Sequence, residues 1–368
     1  MGQSISRSGG AGNAALLQAC ISGDMQEVKR QVGRHIASDK CSLADFVNQP
    51  CDSQGNAAVH GCAFGGHQEI LQFLVEDCGA DALSARNDLG CSALWLAAGY
   101  NHVELLKYLL ERIASVSSLV LSPAEIVMGE NSTGDTPLLA AASRGHVEVC
   151  RLLCEAVEKH SGGSAADAIR RTNNSGDTPL AVAVGAGHGD ELLDLFLKYD
   201  ATNCSSSDNR ALNMRNRNGL TPLLVACERN SAAIALKLIE AGALPLRDSN
   251  GACPLAVASF CGCDDVAEAL LSIDFGKQLL NDQDKAGGCT PLWLASRTGN
   301  AKMVRLLLDA GADATIKNSD GLTPEEAAVK YDKKKVMEIF GYDIKEVDAQ
   351  SSKETGEIVP VRVGDKNQ

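Results

Sequence analysis

Aromatic residues are scarce in this 368-residue chain: two Trp, five Tyr and seven Phe make up 4 % of it. Sandwich and barrel cores draw on bulky aromatic and β-branched side chains, so the shortage points away from both. Thirty-five glycines and a 45 % hydrophobic share suit helices packed closely over small residues. Long apolar runs are also missing, and no stretch of 18 or more mainly apolar residues reads as a membrane span. A basic arm is absent. Lys and Arg number 34 against 47 Asp and Glu, the net charge is −13, and no third of the chain carries a basic excess. Nucleic-acid binding leaves a basic footprint, so no nucleic-acid partner is expected.

The opening MGQSISRSGG lacks the apolar core of a secretory signal. Fourteen cysteines without paired spacings then read as reduced, small, buried hydrophobes rather than a disulfide framework. The tightest cysteine spacings, Cys150/Cys154 and Cys261-Gly-Cys263, fall short of the four ligands that zinc needs. Cys261 is the thiol most open to oxidation. A Gly-rich phosphate loop, a nucleophile elbow, an HExxH pair and kinase signatures are all lacking. Gly185-Ala-Gly-His-Gly189 joins two predicted helices, not a strand to a helix, and so fails as a dinucleotide loop. The expectation is a non-enzyme without cofactor, metal or small-molecule substrate.

What the chain has is a repeat. Gly134-Asp-Thr-Pro-Leu138 returns as Gly176-Asp-Thr-Pro-Leu180, Gly219-Leu-Thr-Pro-Leu223 and Gly288-Cys-Thr-Pro-Leu292. Looser copies begin at Gly12, Gly55, Gly90, Gly251 and Gly321, so nine units begin near 12, 55, 90, 134, 176, 219, 251, 288 and 321. In the unit from Gly288, the glycine permits the positive φ of a tight turn. Thr290 then caps a helix and Pro291 occupies its first position, where a missing N–H costs nothing. Thr298-Gly299-Asn300 breaks that helix, and Met303, Val304, Leu306, Leu307 and Leu308 form the apolar stripe of a second. Gly311 ends the second helix. Neither helix can bury its apolar face alone, so the units must stack.

These motifs resemble the ankyrin-repeat family over about residues 12–345. The run from Thr290 to Gly321 follows the family pattern nearly throughout, and "TPLLAAASRGHVEVCRLLCEA" follows it through both helices. The resemblance implies an all-α ankyrin-repeat solenoid of stacked helix-turn-helix units with hairpin-like loops. It leaves residues 1–11 as a flexible leader and 346–368 as a flexible charged tail. His60 fills the family's Thr-Pro-Leu-His slot, which Trp95 and Trp293 take in their own units, and packing between units is expected there. His67, His102, His146 and His188 share one turn, where hydrogen bonding explains their spacing better than catalysis. His35 and His160 read as loop starts.

Units one, three, four and five are about ten residues long in excess, at 36–49, 115–131, 161–173 and 202–214. These inserts read as loops, with a helical turn at Ser122-Pro123. The family binds partners along hairpin tips and inner-helix ends. Carried over, this names Phe64, Tyr100, Arg144, Arg229, Phe260, Arg297 and Tyr331 at helix ends and Arg217 at a hairpin tip. Tyr, Phe and Arg dominate interface energetics, and three spaced arginines in an acidic chain suit a partner mixing carboxylates with apolar groups.

Finally, Gly2 and Ser6 fit the myristoylation pattern. One acyl chain gives marginal, reversible membrane binding. The sequence thus reads as a protein-binding adaptor or scaffold, cytoplasmic and peripheral on a membrane through Gly2. The alternative is a soluble inhibitor occluding a site on an enzyme or transcription factor.

Overall fold

The computed structural model describes residues 11–38, 42–115, 121–160, 164–188, 190–201 and 210–342. Among these residues the regular structure is helical, without strands. They fall into two compact units, 1–206 and 207–368. The division lies inside the insert expected at 202–214.

In the first unit, one layer of helices comprises α1 (Ala11–Ser22), α4 (Ala58–Gly65), α6 (Ala93–Gly99), α9 (Pro137–Ala142) and α12 (Pro179–Gly185). Its second layer is α2 (Met25–Ser38), α5 (Gln68–Glu76), α7 (Val103–Ser115), α10 (Val147–His160) and α13 (Asp190–Asp200). The shorter extra helices are α3 (Leu43–Asn48), α8 (Pro123–Val127) and α11 (Ala165–Arg170). In the second unit the first layer is α14 (Pro222–Glu228), α16 (Pro254–Cys261), α19 (Pro291–Thr298) and α21 (Pro324–Lys330). Packed behind are α15 (Ala232–Glu240), α17 (Asp264–Leu271), α20 (Ala301–Asp309) and α22 (Lys334–Ile339), with an extra α18 (Asp274–Gln278). Within each unit, first-layer helices pack on their counterparts in the next repeat, α4 on α6 and α16 on α19 for example.

The Thr-Pro signal works as its chemistry requires. Thr136, Thr178, Thr221 and Thr290 each accept the N–H of the third helical residue, at 3.2 to 3.3 Å, with proline at the first position. The following helices are rich in buried Ala and Leu, so neighbours approach closely. In α20, Met303, Val304 and Leu307 are fully buried on one face. Burying each such side chain contributes about 1.5–3 kcal/mol.

The inserts are more helical than the loop reading, which expected a turn only at Ser122-Pro123, the start of α8. Three of the four long segments contain α3, α8 and α11, and the fourth contains a 3-10 turn at Ala211–Asn213. Each is short but buries an apolar side: Phe46 and Val47, Ile126 and Val127, Ala165 and Ile169, Ala211 and Leu212. α8 lies against both α7 and α10, and α11 against both α10 and α13, filling the space between second-layer helices. α18 adds a further extra helix where no insert was expected. Nor does His35 begin a loop. It belongs to α2, and its ring stacks on Phe46 of α3 with centres 4.1 Å apart. His160 is the last residue of α10. Gly2 and the 346–368 tail lie outside the described residues, as does most of the 1–11 leader; α1 begins at Ala11.

Candidate functional site

Three recurring hydrogen-bond devices order the repeats and tie neighbours together. The first is the hairpin turn itself, closed by an Asn or Asp side chain. Asn131 Oδ1 accepts the N–H groups of Thr133 and Asp135, at 3.0 and 2.8 Å. Asp52, Asn87, Asn173, Asn216, Asp248 and Asn318 do the same in their turns. Successive hairpins are then joined by single backbone bonds, such as Asp88 N–H to Gln54 O at 2.8 Å and Ser132 N–H to Leu89 O at 2.8 Å.

The second device is the slot shared by His60, Trp95 and Trp293. Trp95 Nε1–H donates to Asp135 O at 2.9 Å and Trp293 Nε1–H to Leu322 O at 3.1 Å. His60 accepts the Ala57 N–H through Nδ1 at 3.0 Å, so its Nε2 carries the proton and donates to Cys91 O at 3.2 Å. Each acceptor directly follows the hairpin glycine of the next repeat. The side chain in this slot therefore ties one repeat to the next, as the sequence suggested. Burial outweighs the carbonyl bond and lowers the His60 pKa, keeping the ring neutral.

The third device is the histidine of the inter-helix turn, which reaches back one repeat. His67 Nε2 bonds Ile21 O at 3.1 Å, His102 bonds Phe64 O at 2.9 Å, His146 bonds Gly99 O at 3.2 Å and His188 bonds Ser143 O at 2.9 Å. Donation to a carbonyl assigns these histidines structural work.

On this scaffold Phe64, Tyr100 and Arg144 come together in the first unit. Phe64 and Tyr100 meet edge to face, with ring centres 4.6 Å apart. The Arg144 guanidinium lies over the Tyr100 ring at 4.6 Å and donates through Nη1 to Gly99 O. All three are exposed, Phe64 by 45 %. They line a groove of about 420 Å³ together with Leu17, Ile21, Leu89, Trp95 and Leu96, walled by the hairpin residues Asp52, Gln54 and Asn87. A second cavity of about 350 Å³, lined by Asp135, Leu139, Asn173 and Val182, shares Trp95 and Arg144 with the first. Arg144 therefore stands where the two cavities meet.

The second unit gathers a smaller cluster. Arg297 lies 5.9 Å from the Trp293 ring and 5.5 Å from the Tyr331 ring, and Trp293 meets Tyr331 edge to face. Phe260, in α16, is 54 % exposed. Arg217 and Arg229 are exposed, the first in a hairpin turn and the second at the C-terminal cap of α14. The arginines expected to form one row thus sit in different settings: Arg144 and Arg297 rest on aromatic rings, and Arg229 lies beside Glu228.

Sequence reasoning missed Leu89, the most exposed large apolar residue of the groove at 54 %, because it is a hairpin residue outside the helical stripes. It also missed an asparagine relay. Asn48, Asn213 and Asn281 each accept, through Oδ1, a backbone N–H just past the second-layer helix of the next repeat: Asp81 at 2.7 Å, Leu244 at 2.9 Å and Asp313 at 2.9 Å. The Gly-Ala pair before each donor was the available signal. Among the described residues no group of three or more His, Cys, Asp or Glu could hold a metal, and no helix is long and apolar enough to cross a membrane.

A family model for ankyrin repeats (3 copies) matches residues 16–119, 113–208, 189–279 and 273–350. The chain is 26 % identical over 298 residues to the human transient receptor potential cation channel subfamily A member 1, a match covering 78 % of this chain and 21 % of the channel. It is 34 % identical over 209 residues to protein fem-1 homolog A-like of Mus musculus, covering 50 % of this chain and 31 % of that protein. Against tyrosine-protein kinase HTK16 of Hydra vulgaris it is 32 % identical over 133 residues, 35 % of this chain and 17 % of the kinase. The chain thus spans less than a third of each of these relatives, which differ in kind and share the repeat module with it. Ankyrin repeats are in general non-catalytic interaction modules, and the repeats imply a role in binding other proteins. The chain belongs to the ankyrin-repeat family.

Proposed function

We propose that the protein is a non-catalytic adaptor whose repeat array, residues 12–345, holds a protein partner along its hairpin side. The observation that carries this reading is the Phe64–Tyr100–Arg144 cluster. Two exposed rings and a stacked guanidinium line a preformed groove, and these residue types are the ones that dominate interface energetics. The side chains are held by a scaffold whose hydrogen bonds are already made, so little ordering cost falls on binding.

The same reading places the adaptor at the cytoplasmic face of a membrane, acylated on Gly2. Support comes from the Met1-Gly2 start with Ser6 at the hydroxyl position. A single myristoyl chain holds weakly, so residence at the membrane depends on the partner as a second attachment. Residues 346–368 serve as a charged tail. Metabolic labelling with a clickable myristate analogue tests the anchor: label on wild type and none on Gly2→Ala is expected, and no label on wild type refutes it. Partner capture tests the adaptor role separately, by proximity labelling of the full chain against a Phe64→Ala/Tyr100→Ala/Arg144→Glu variant.

A further inference from the structure

The chemistry around Arg144 specifies what the first-unit groove accepts. Arg144 sits at the junction of the two cavities, with one face of its guanidinium on Tyr100. Among the described residues no carboxylate lies within salt-bridge distance of it. Asp135, which lines the second cavity with Arg144, is committed elsewhere. Its Oδ1 accepts Asn173 Nδ2–H at 3.0 Å and its Oδ2 accepts the Thr133 hydroxyl at 2.7 Å. Guanidinium presents five donors, and the Gly99 carbonyl takes up one edge of the group. A charge held rigid, stacked and without a counter-ion is a site for an incoming anion.

The surroundings then narrow the anion to part of a peptide. The larger cavity is floored by Leu17, Ile21 and Leu96 and rimmed by Phe64, Leu89 and Tyr100, an apolar lining too large for a free inorganic anion and suited to a bulky side chain. Beyond Arg144 the second cavity is more polar, with Asp135, Ser143 and Asn173. Phe64 and Arg144 each lie 4.6 Å from the Tyr100 ring. Their separation is therefore at most the sum of those two distances, which an extended segment rising roughly 3.3 Å per residue, with alternate side chains on one face, spans in no more than about three residues.

We infer that the first-unit groove captures an extended partner segment in which a large apolar side chain and a carboxylate stand two or three residues apart. The apolar side chain enters between Phe64, Leu89 and Tyr100. The carboxylate pairs with Arg144, and the following residues pass over the polar second cavity. The inference rests on the adaptor reading and gives it a ligand chemistry.

Panning a phage-displayed library of random dodecapeptides on the full chain tests this directly. Enriched peptides should share an acid two or three positions from Leu, Ile, Phe or Met. A synthetic peptide of that consensus should lose at least tenfold in affinity for Arg144→Glu and for Leu89→Asp, and should bind Arg297→Glu as well as it binds wild type. Changing its acid to the amide should cost a similar factor. Leu89 is exposed on a hairpin, so its variant keeps the test valid even if Arg144→Glu perturbs the fold by circular dichroism. A basic or acid-free consensus, binding unaffected by Leu89→Asp or Arg144→Glu, or no shared motif at all would overturn the assignment. That result would leave the adaptor reading standing on its own test, capture of a folded partner by the full chain.

Discussion

The Arg144 guanidinium rests over the Tyr100 ring, 4.6 Å from its centre, although the two residues belong to different repeats. The contact is a consequence of the fold. Tyr100 caps the C-terminus of α6, Arg144 follows α9, and the packing of α6 on α9 sets one helix end over the next. The same carbonyl, Gly99 O, accepts from both Arg144 and His146, so the stacked guanidinium and the structural histidine share an anchor. The exposed cluster is therefore built on the joint between two repeats.

Trp293 is 3 % exposed, and its indole N–H donates to Leu322 O across the joint between α19 and α21. Trp293→Phe keeps a large ring but removes the donor. The expected loss is about 1 kcal/mol, the typical net worth of one such bond. Urea unfolding followed by circular dichroism measures it; an unchanged midpoint would show that the bond contributes nothing to the joint.

Gly145 has φ +75°, and a Cβ there would lie 2.7 Å from His188 Nδ1 of the following repeat. The glycine supplies both the left-handed turn and the room for the neighbour's imidazole. Gly145→Ala should destabilise by about 1–2 kcal/mol from the backbone alone, with the ring displacement added. A Gly145→Ala/His188→Ala pair should recover the displacement share in a double-mutant cycle. Additive losses would show that ring and glycine are independent.

His60 and His146 both have pKa values lowered, in each case chiefly by burial. Unfolded, they titrate near 6.5. Below that pH the unfolded chain takes up protons that the folded chain does not, so stability is full above about 6.5 and falls as pH drops toward the folded values. The buried His60 contributes a slope of up to about 1.4 kcal/mol per pH unit within its window, and the more open His146 less, because solvent screens it. Urea unfolding at pH 7.5, 6.5 and 5.5 should show wild type losing stability over the last step and His60→Gln losing less. Equal losses would remove His60 from the account.

Among the described cysteines Cys261 is exposed and the other eleven are buried. Burial pushes the thiols of Cys154 and Cys253 up to about 12, which keeps them protonated and inert at neutral pH. Alkylation of the native chain with N-ethylmaleimide, mapped by mass spectrometry, should modify Cys261 before Cys150, Cys154 or Cys227. Earlier reaction at any of these buried three would show that the helix packing around it opens, in α10 for Cys150 and Cys154 and in α14 for Cys227.

The repeat was legible because its signals are local. Thr136-Pro137 or Thr290-Pro291 names a helix start within two residues, and Gly145 or Gly311 names a stop. The extra helices were harder. α3, α8 and α11 have five or six residues each, too few for a period of 3.6 to declare itself, so composition made loops of all but the turn at Ser122-Pro123. Yet each begins with a serine followed three residues later by an acid: Ser42 and Asp45, Ser122 and Glu125, Ser164 and Asp167. That capping pattern was the readable sign. Phe64, Tyr100 and Arg144, named from the sequence as helix-end residues, come together because helix-end positions repeat with the period. Leu89 was not, since a hairpin residue owes its place to the backbone bond between Ser132 N–H and its own carbonyl.

The central claim is that the hairpin side of the first unit captures a protein partner through Phe64, Tyr100 and Arg144. The most direct measurement is quantitative proximity labelling by the full chain, wild type against Phe64→Ala/Tyr100→Ala/Arg144→Glu, with helical content monitored by circular dichroism. The account predicts that a defined set of partners labelled by wild type falls at least tenfold in the variant while the helical signal is unchanged. An identical partner set at identical intensity on a folded variant would contradict it.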